Sequence, residues 1–256
     1  MIGDILQCLL LFFIVVVCSR YALRTENNLF LIFAALSAAT LLLSTLYWVA
    51  HSLLREGMRI PFAANDVADF GTFLLLSASL YSAVGTGRGR LPGVTAAAAA
   101  FALVNIGLWI GWSGEWLRDI LGGIAFGYFV CVCVRSVYLA EALERGWRIA
   151  LWAISWIAVA VEAAGFFVSA EQCAALWKVG TVVLLLGEIL LLIRTLLSLR
   201  AGCSAEASMS LSFICFCWSS VAMYMSEGAA YTFFSALSSL HMLLMQLSIR
   251  KKVNAA

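Results

Sequence analysis

Charged side chains are scarce in this chain. Lysine and arginine number 16 and aspartate and glutamate 14 among 256 residues, 12% in all, against 64% apolar residues. A soluble domain is about half apolar and about a quarter charged, because polar groups must cover its surface. With a mean hydropathy of +1.00, the surplus apolar surface has to face lipid, which excludes an ordinary soluble protein. The net charge of +2 is dispersed between apolar runs, so nucleic acid is not an expected partner.

Histidine is nearly absent, with two residues, and no C-x-x-C or H-x-x-x-H spacing occurs. No metal site and no cofactor are therefore expected. The G-x-S-x-G, H-E-x-x-H and P-loop signatures are also missing. Two histidines at opposite depths leave few acid–base candidates, so an enzyme is the least favoured reading. The eight cysteines read mostly as small hydrophobes. Cys131 and Cys133, like Cys215 and Cys217, sit about 200° apart on a helix and point to opposite faces. Cys8 and Cys173 lie near one surface, where a pairing between them is open.

What the chain does have is long apolar runs. A bilayer-spanning helix needs about 20 apolar residues. Nine candidates satisfy this: 2–23, 29–54, 65–84, 92–112, 117–140, 147–168, 173–198, 208–226 and 229–248. The expected fold is an all-α polytopic bundle forming a single integral membrane domain, 1–256, with no soluble domain and no removable signal peptide. Pro61 and Pro92 each fall just before a span, where a missing N–H costs little.

Nine spans place Arg55, Arg59, Arg118 and Lys178 on one side and the other twelve basic residues on the opposite side. The positive-inside rule then orients the N-terminus outward and the C-terminus inward, with a bacterial cytoplasmic (inner) membrane as the expected location. After the first helix the chain reads as four outward hairpins. One fixed offset carries Asp66 onto Asp119 and Gln172, Phe73 onto Phe126, and Ser82 onto Arg135, Glu188 and His241. Any two-span hairpin has about this length, so common depth follows from the offset and common ancestry does not.

The descending helices open with caps and acids: Asn65-Asp66 with Asp69, Ser113 with Glu115 and Asp119, Ser169 with Gln172, and Ser226-Glu227. Acids at helix N-termini complement the macrodipole, and that explanation is preferred to a cation-binding vestibule. Trp48, Trp109, Trp112 and Trp116 read as an outer aromatic belt, Trp147 and Trp152 as an inner one. Trp218 is the one tryptophan considered for lining a pocket. The small-residue run Thr95–Ala100 and the pair Gly122-Gly123 read as close helix packing.

Glu188, inside TVVLLLGEILLLIRTLL, is the main functional candidate. It lies roughly 22 Å down its helix at 1.5 Å per residue. An ionised group near a span's centre costs about 2.5–3.5 kcal/mol on the insertion scale, so it needs a proton, a partner or water. The expected partners are Arg135 or His241, with Ser82 as a further member. Arg135 can instead snorkel, His241 can be a satisfied core residue, and an ion pair that only holds helices together is the competing reading. Arg194 reads as snorkelling to the headgroups. Glu162, nearer the outer end, is a second station on a polar path whose mouth holds Asp66, Asp69 and His51.

Three functions survive, in order. The first is a transporter of a small solute, ion or proton. The second is a membrane sensor or accessory subunit working with a ligand, another membrane protein or a second copy. The third is a lipid enzyme.

Overall fold

A computed structural model describes residues 2–25, 29–54, 64–84, 91–200, 205–224, 226 and 228–255. The linkers holding Arg55, Arg59, Pro61, Arg88, Arg90 and Cys203, together with Glu227, fall outside this set, as do the side chains of Arg250, Lys251 and Lys252.

Among the described residues the chain is helical throughout, with no strand. The helices are α1 (Ile2–Ala22), α2 (Leu29–Leu54), α3 (Ala64–Val84), α4 (Pro92–Ser113), α5 (Trp116–Leu139), α6 (Arg145–Ala164), α7 (Ala170–Arg200), α8 (Ala205–Tyr224) and α9 (Gly228–Ala255). Eight of them are long and apolar enough to cross a membrane, while the apolar part of α9, Ala229–Met245, is shorter. The molecule is a polytopic membrane helix bundle.

Local chemistry sets the helix boundaries. Pro92 occupies the first turn of α4, and Gly114 closes that helix in the left-handed conformation at φ 68°. At the start of α7 the Ser169 N–H donates to Gln172 Oε1 (3.3 Å) and the Gln172 N–H to Ser169 Oγ (3.5 Å), a reciprocal capping box.

The four sequence-adjacent pairs α2–α3, α4–α5, α6–α7 and α8–α9 each pack directly, and α1 closes the bundle against α2 and α9. Helices α5 and α8 meet in the middle. The bundle is thus two rings sharing a wall: α1, α2, α3 and α9 on one side, α4, α6 and α7 on the other.

Burial does not follow hydrophobicity. Helix α8 is the least apolar of the eight, yet 89% of its apolar stretch is buried, against 28% for α1. Lipid must be faced by apolar side chains, whereas an interior position only has to satisfy its polar atoms. Ser212 Oγ accordingly donates to the Ser208 carbonyl (2.9 Å) and Ser220 Oγ to that of Phe216 (2.8 Å). On α7, Leu184, Glu188, Leu191 and Thr195 form the inward stripe, and Val182, Leu186, Ile189 and Ile193 face out.

Small residues permit close approach. A Cβ at Gly187 would stand 2.7 Å from the Trp218 ring, and one at Gly127 2.9 Å from Ala102. Gly122 and Gly123 receive Phe70 and Ile106 in the same way, as helix packing requires.

Candidate functional site

A cavity of about 420 Å³ opens at the end of the bundle where α3 and α5 begin. All nine helices reach it. Odd-numbered helices contribute residues from their beginnings, such as Asp4, Asp66, Asp119, Trp177 and Tyr231. Even-numbered helices contribute from their ends, such as Trp48, Trp112, Glu162 and Met223. The helices therefore alternate in direction through the whole chain.

The cavity reaches roughly 10–12 Å into the bundle, by the helix rise from Asp66 to Phe73 and from Arg118 to Phe126. Phe73 and Phe126, its deepest residues on α3 and α5, meet edge to face with centroids 5.2 Å apart. Behind them Phe129 packs on Phe73 (5.7 Å) and on Phe216 (6.1 Å), giving the floor an aromatic backing.

Acids outnumber bases on the wall. Among the described residues Asp4, Asp66, Asp69, Asp119 and Glu162 line it with one basic residue, Arg118. That guanidinium is engaged by Glu115 (2.5 Å) and Asp119 (3.3 Å). Ser113 Oγ donates to Asp119 and accepts the Glu115 N–H at 2.9 Å, which locks the α4–α5 turn. Glu162 is the one residue of α6 at the cavity, is only 3% exposed, and its Oε2 has no hydrogen-bond partner among the described residues.

Trp48, Trp109, Trp112 and Trp177 supply much of the apolar wall. Trp112 packs on Trp177 with centroids 4.6 Å apart, and Trp109 packs on Phe126 at 5.4 Å. Gly165, one helical turn beyond Glu162, leaves room for both indoles, since a Cβ there would meet Trp177 Nε1 at 3.1 Å and Trp112 at 3.4 Å. Trp48, Trp109 and Trp112, expected as an interface belt, thus line the cavity. Trp218 does not reach it but lines a second, small cavity of about 20 Å³, where its indole N–H donates to Ser155 Oγ (3.1 Å).

Beyond the floor lies a second polar cluster. Glu188 Oε1 accepts a hydrogen bond from Ser219 Oγ at 2.7 Å and stands 3.9 Å from His241 Nε2. Ser219 is one helical turn below Met223 and His241 six residues below Ser235, so the cluster sits about 6–9 Å past the deepest cavity residues of α8 and α9. Glu188 Oε2 and both imidazole nitrogens have no hydrogen-bond partner among the described residues.

The other sequence candidates separate. Arg135 forms no ion pair with Glu188, because α8 stands between α5 and α7. Ser82 does not join the cluster either, since it falls on the exposed face of α3 with Tyr81 and Leu74, opposite the buried stripe. Asp66 and Asp69 line the same cavity as Glu162. His51 stays behind that wall, stacked on Tyr47 (6.0 Å) and Trp48 (6.4 Å). Arg194 reaches Glu144 at 3.4 Å near the opposite end.

Cys8 and Cys173 are free thiols, so the pairing left open between them is not made. Among the described residues, no group of three or more His, Cys, Asp or Glu could hold a metal ion. Ser219 and Trp177 went unnoticed in the sequence. Both lie in segments whose inward face is set by packing alone.

Comparison of the chain with protein families, with curated proteins and with solved structures returns no match.

Proposed function

We propose that this protein is a transporter that admits a small solute through the acidic cavity and couples its passage to a proton held at the Glu188–Ser219–His241 cluster. The observation carrying this reading is the cavity itself. Every helix contributes to it, so any relative tilt of the two rings changes its shape. Cavities of about 300–1,000 Å³ suit small molecules, and intramembrane ionisable groups at such depth mark ion and proton paths in many membrane proteins.

In this mechanism Glu162 and the neighbouring aspartates hold the solute at the mouth. Parting of the Phe73–Phe126 floor then joins the cavity to the inner cluster. Ser219 keeps the Glu188 carboxyl oriented, and His241 is the nearest group with which it can exchange a proton. Cys215 of α8, one helical turn from Ser219, also lies within electrostatic reach of Glu188. The acidic end faces outward on the charge distribution of the loops.

Purified protein in liposomes loaded with a pH-reporting dye tests the proposal. Quaternary ammonium salts, amino acids, sugars and alkali cations are offered one at a time. Solute-evoked proton movement that Glu188→Gln abolishes is the expected result. Solute binding with no flux for any class would replace transport with the ligand-binding subunit reading.

A further inference from the structure

The chemistry of the cavity wall also specifies what it holds. Among the described residues five carboxyl side chains line it against one guanidinium, and that guanidinium is already engaged by two carboxylates. An anion has no free basic partner among the described lining residues. Among the described residues no three His, Cys, Asp or Glu side chains converge to hold a bare metal ion either. The acids are spread around a wall whose other large component is indole and phenyl.

Glu162 gives the second, independent observation. It is buried, it is the single α6 residue at the cavity, and its Oε2 has no protein donor among the described residues. A buried carboxylate oxygen calls for a hydrogen-bond donor or a positive charge. The Trp112 and Trp177 rings pack around Gly165, one turn away on the same helix end. Indole faces attract ammonium groups, most strongly where water is excluded.

The geometry points to a compact organic cation, an alkylammonium or quaternary amine, as the occupant of this cavity. Its positive charge is met by Glu162 and its alkyl surface by Trp109, Trp112 and Trp177. This deepens the transport reading by naming the solute class.

The test measures binding alone, with full-length protein in detergent, by calorimetry and tryptophan fluorescence. The probes are tetramethylammonium, choline, the uncharged carbon isostere dimethylbutanol, and pivalate. Saturable binding of the two ammonium ions is expected, with the neutral isostere at least about tenfold weaker and pivalate without effect. Glu162→Gln should weaken choline binding by about tenfold or more at unchanged helical content.

Equal affinity for the neutral isostere, or no saturable ammonium binding, overturns the inference. Unaltered choline affinity in folded Glu162→Gln overturns it as well. If that variant does not fold, the isostere comparison on the native protein decides. Ammonium binding without flux would leave this inference standing and remove transport. Flux of neutral solutes without ammonium binding would do the reverse.

Discussion

His241 Nε2 lies 3.9 Å from Glu188 Oε1, and the two side chains are 0% and 1% exposed. They come from α9 and α7, and Ser219 of α8 completes the contact at 2.7 Å. Three helices that share no local sequence signal are joined by one carboxyl group. In lipid an unpaired polar group finds no water, so each partner depends on the others.

Glu188→Ala should therefore lower the unfolding free energy by about 1–3 kcal/mol, the cost of leaving buried groups unsatisfied. Glu188→Gln keeps a carbonyl oxygen for Ser219 and should lose less. A cycle pairing Glu188→Ala with Ser219→Ala should show a coupling of about 0.6–1.7 kcal/mol, the range of interhelical hydrogen bonds in membranes. Thermal melting in detergent reads the three single variants and the double variant. A Glu188→Ala protein as stable as the native one would show that the cluster carries no structural weight.

The residue before Glu188 matters for a different reason. A side chain at Gly187 would stand 2.7 Å from Trp218 and 2.9 Å from Ile154. Gly187→Val should displace the Trp218 indole, break its bond to Ser155, and cost about 1–3 kcal/mol by overpacking. Red-shifted tryptophan emission with a lower melting temperature is the expected signature. An unchanged spectrum would place Trp218 elsewhere.

Helix positions were readable from the sequence because lipid imposes a length on apolar runs. The expected span 29–54 coincides with α2, and 92–112 differs from Pro92–Ser113 by one residue. Helix facing was far less readable. Around Glu188 nearly every residue is apolar, so no period separates the α7 face toward α8 from the face toward lipid. The partner Ser219 sits in α8, the least apolar of the eight membrane-length helices and the most buried of them. That inversion, polar inside and apolar outside, is the signal that could have identified α8 as the central helix. The shared depth of Ser82, Arg135, Glu188 and His241 followed from spacing, but depth does not fix azimuth. Only Glu188 and His241 turn toward each other. Phe73 and Phe126, related by the same offset, do meet, at the cavity floor.

Thiol chemistry gives a third expectation. Cys133 and Cys217 approach to 3.8 Å between α5 and α8, and both are buried. A water-soluble maleimide should modify neither until the protein is unfolded. Mass spectrometry of protein kept under air should show no peptide linking Cys8 to Cys173, since both are free. Rapid labelling of Cys133 in native protein would contradict the packing of the α5–α8 wall.

The direction in which the cavity opens rests on charge. Among the described residues Arg118 is the one basic residue at the cavity, whereas Arg145, Arg148, Arg194 and Arg200 lie toward the opposite helix ends. Basic residues are retained on the cytoplasmic side during insertion, so the cavity should face out. Glu171→Cys, exposed at the start of α7, and Gly146→Cys, in open space at the start of α6, probe the two ends. In a cysteine-free background an impermeant maleimide added to intact cells should label the first and reach the second only after permeabilisation. The reverse pattern would turn the cavity, and Glu162 with it, toward the cytoplasm. Labelling of both from outside would break the alternation of helix direction on which the shared cavity depends.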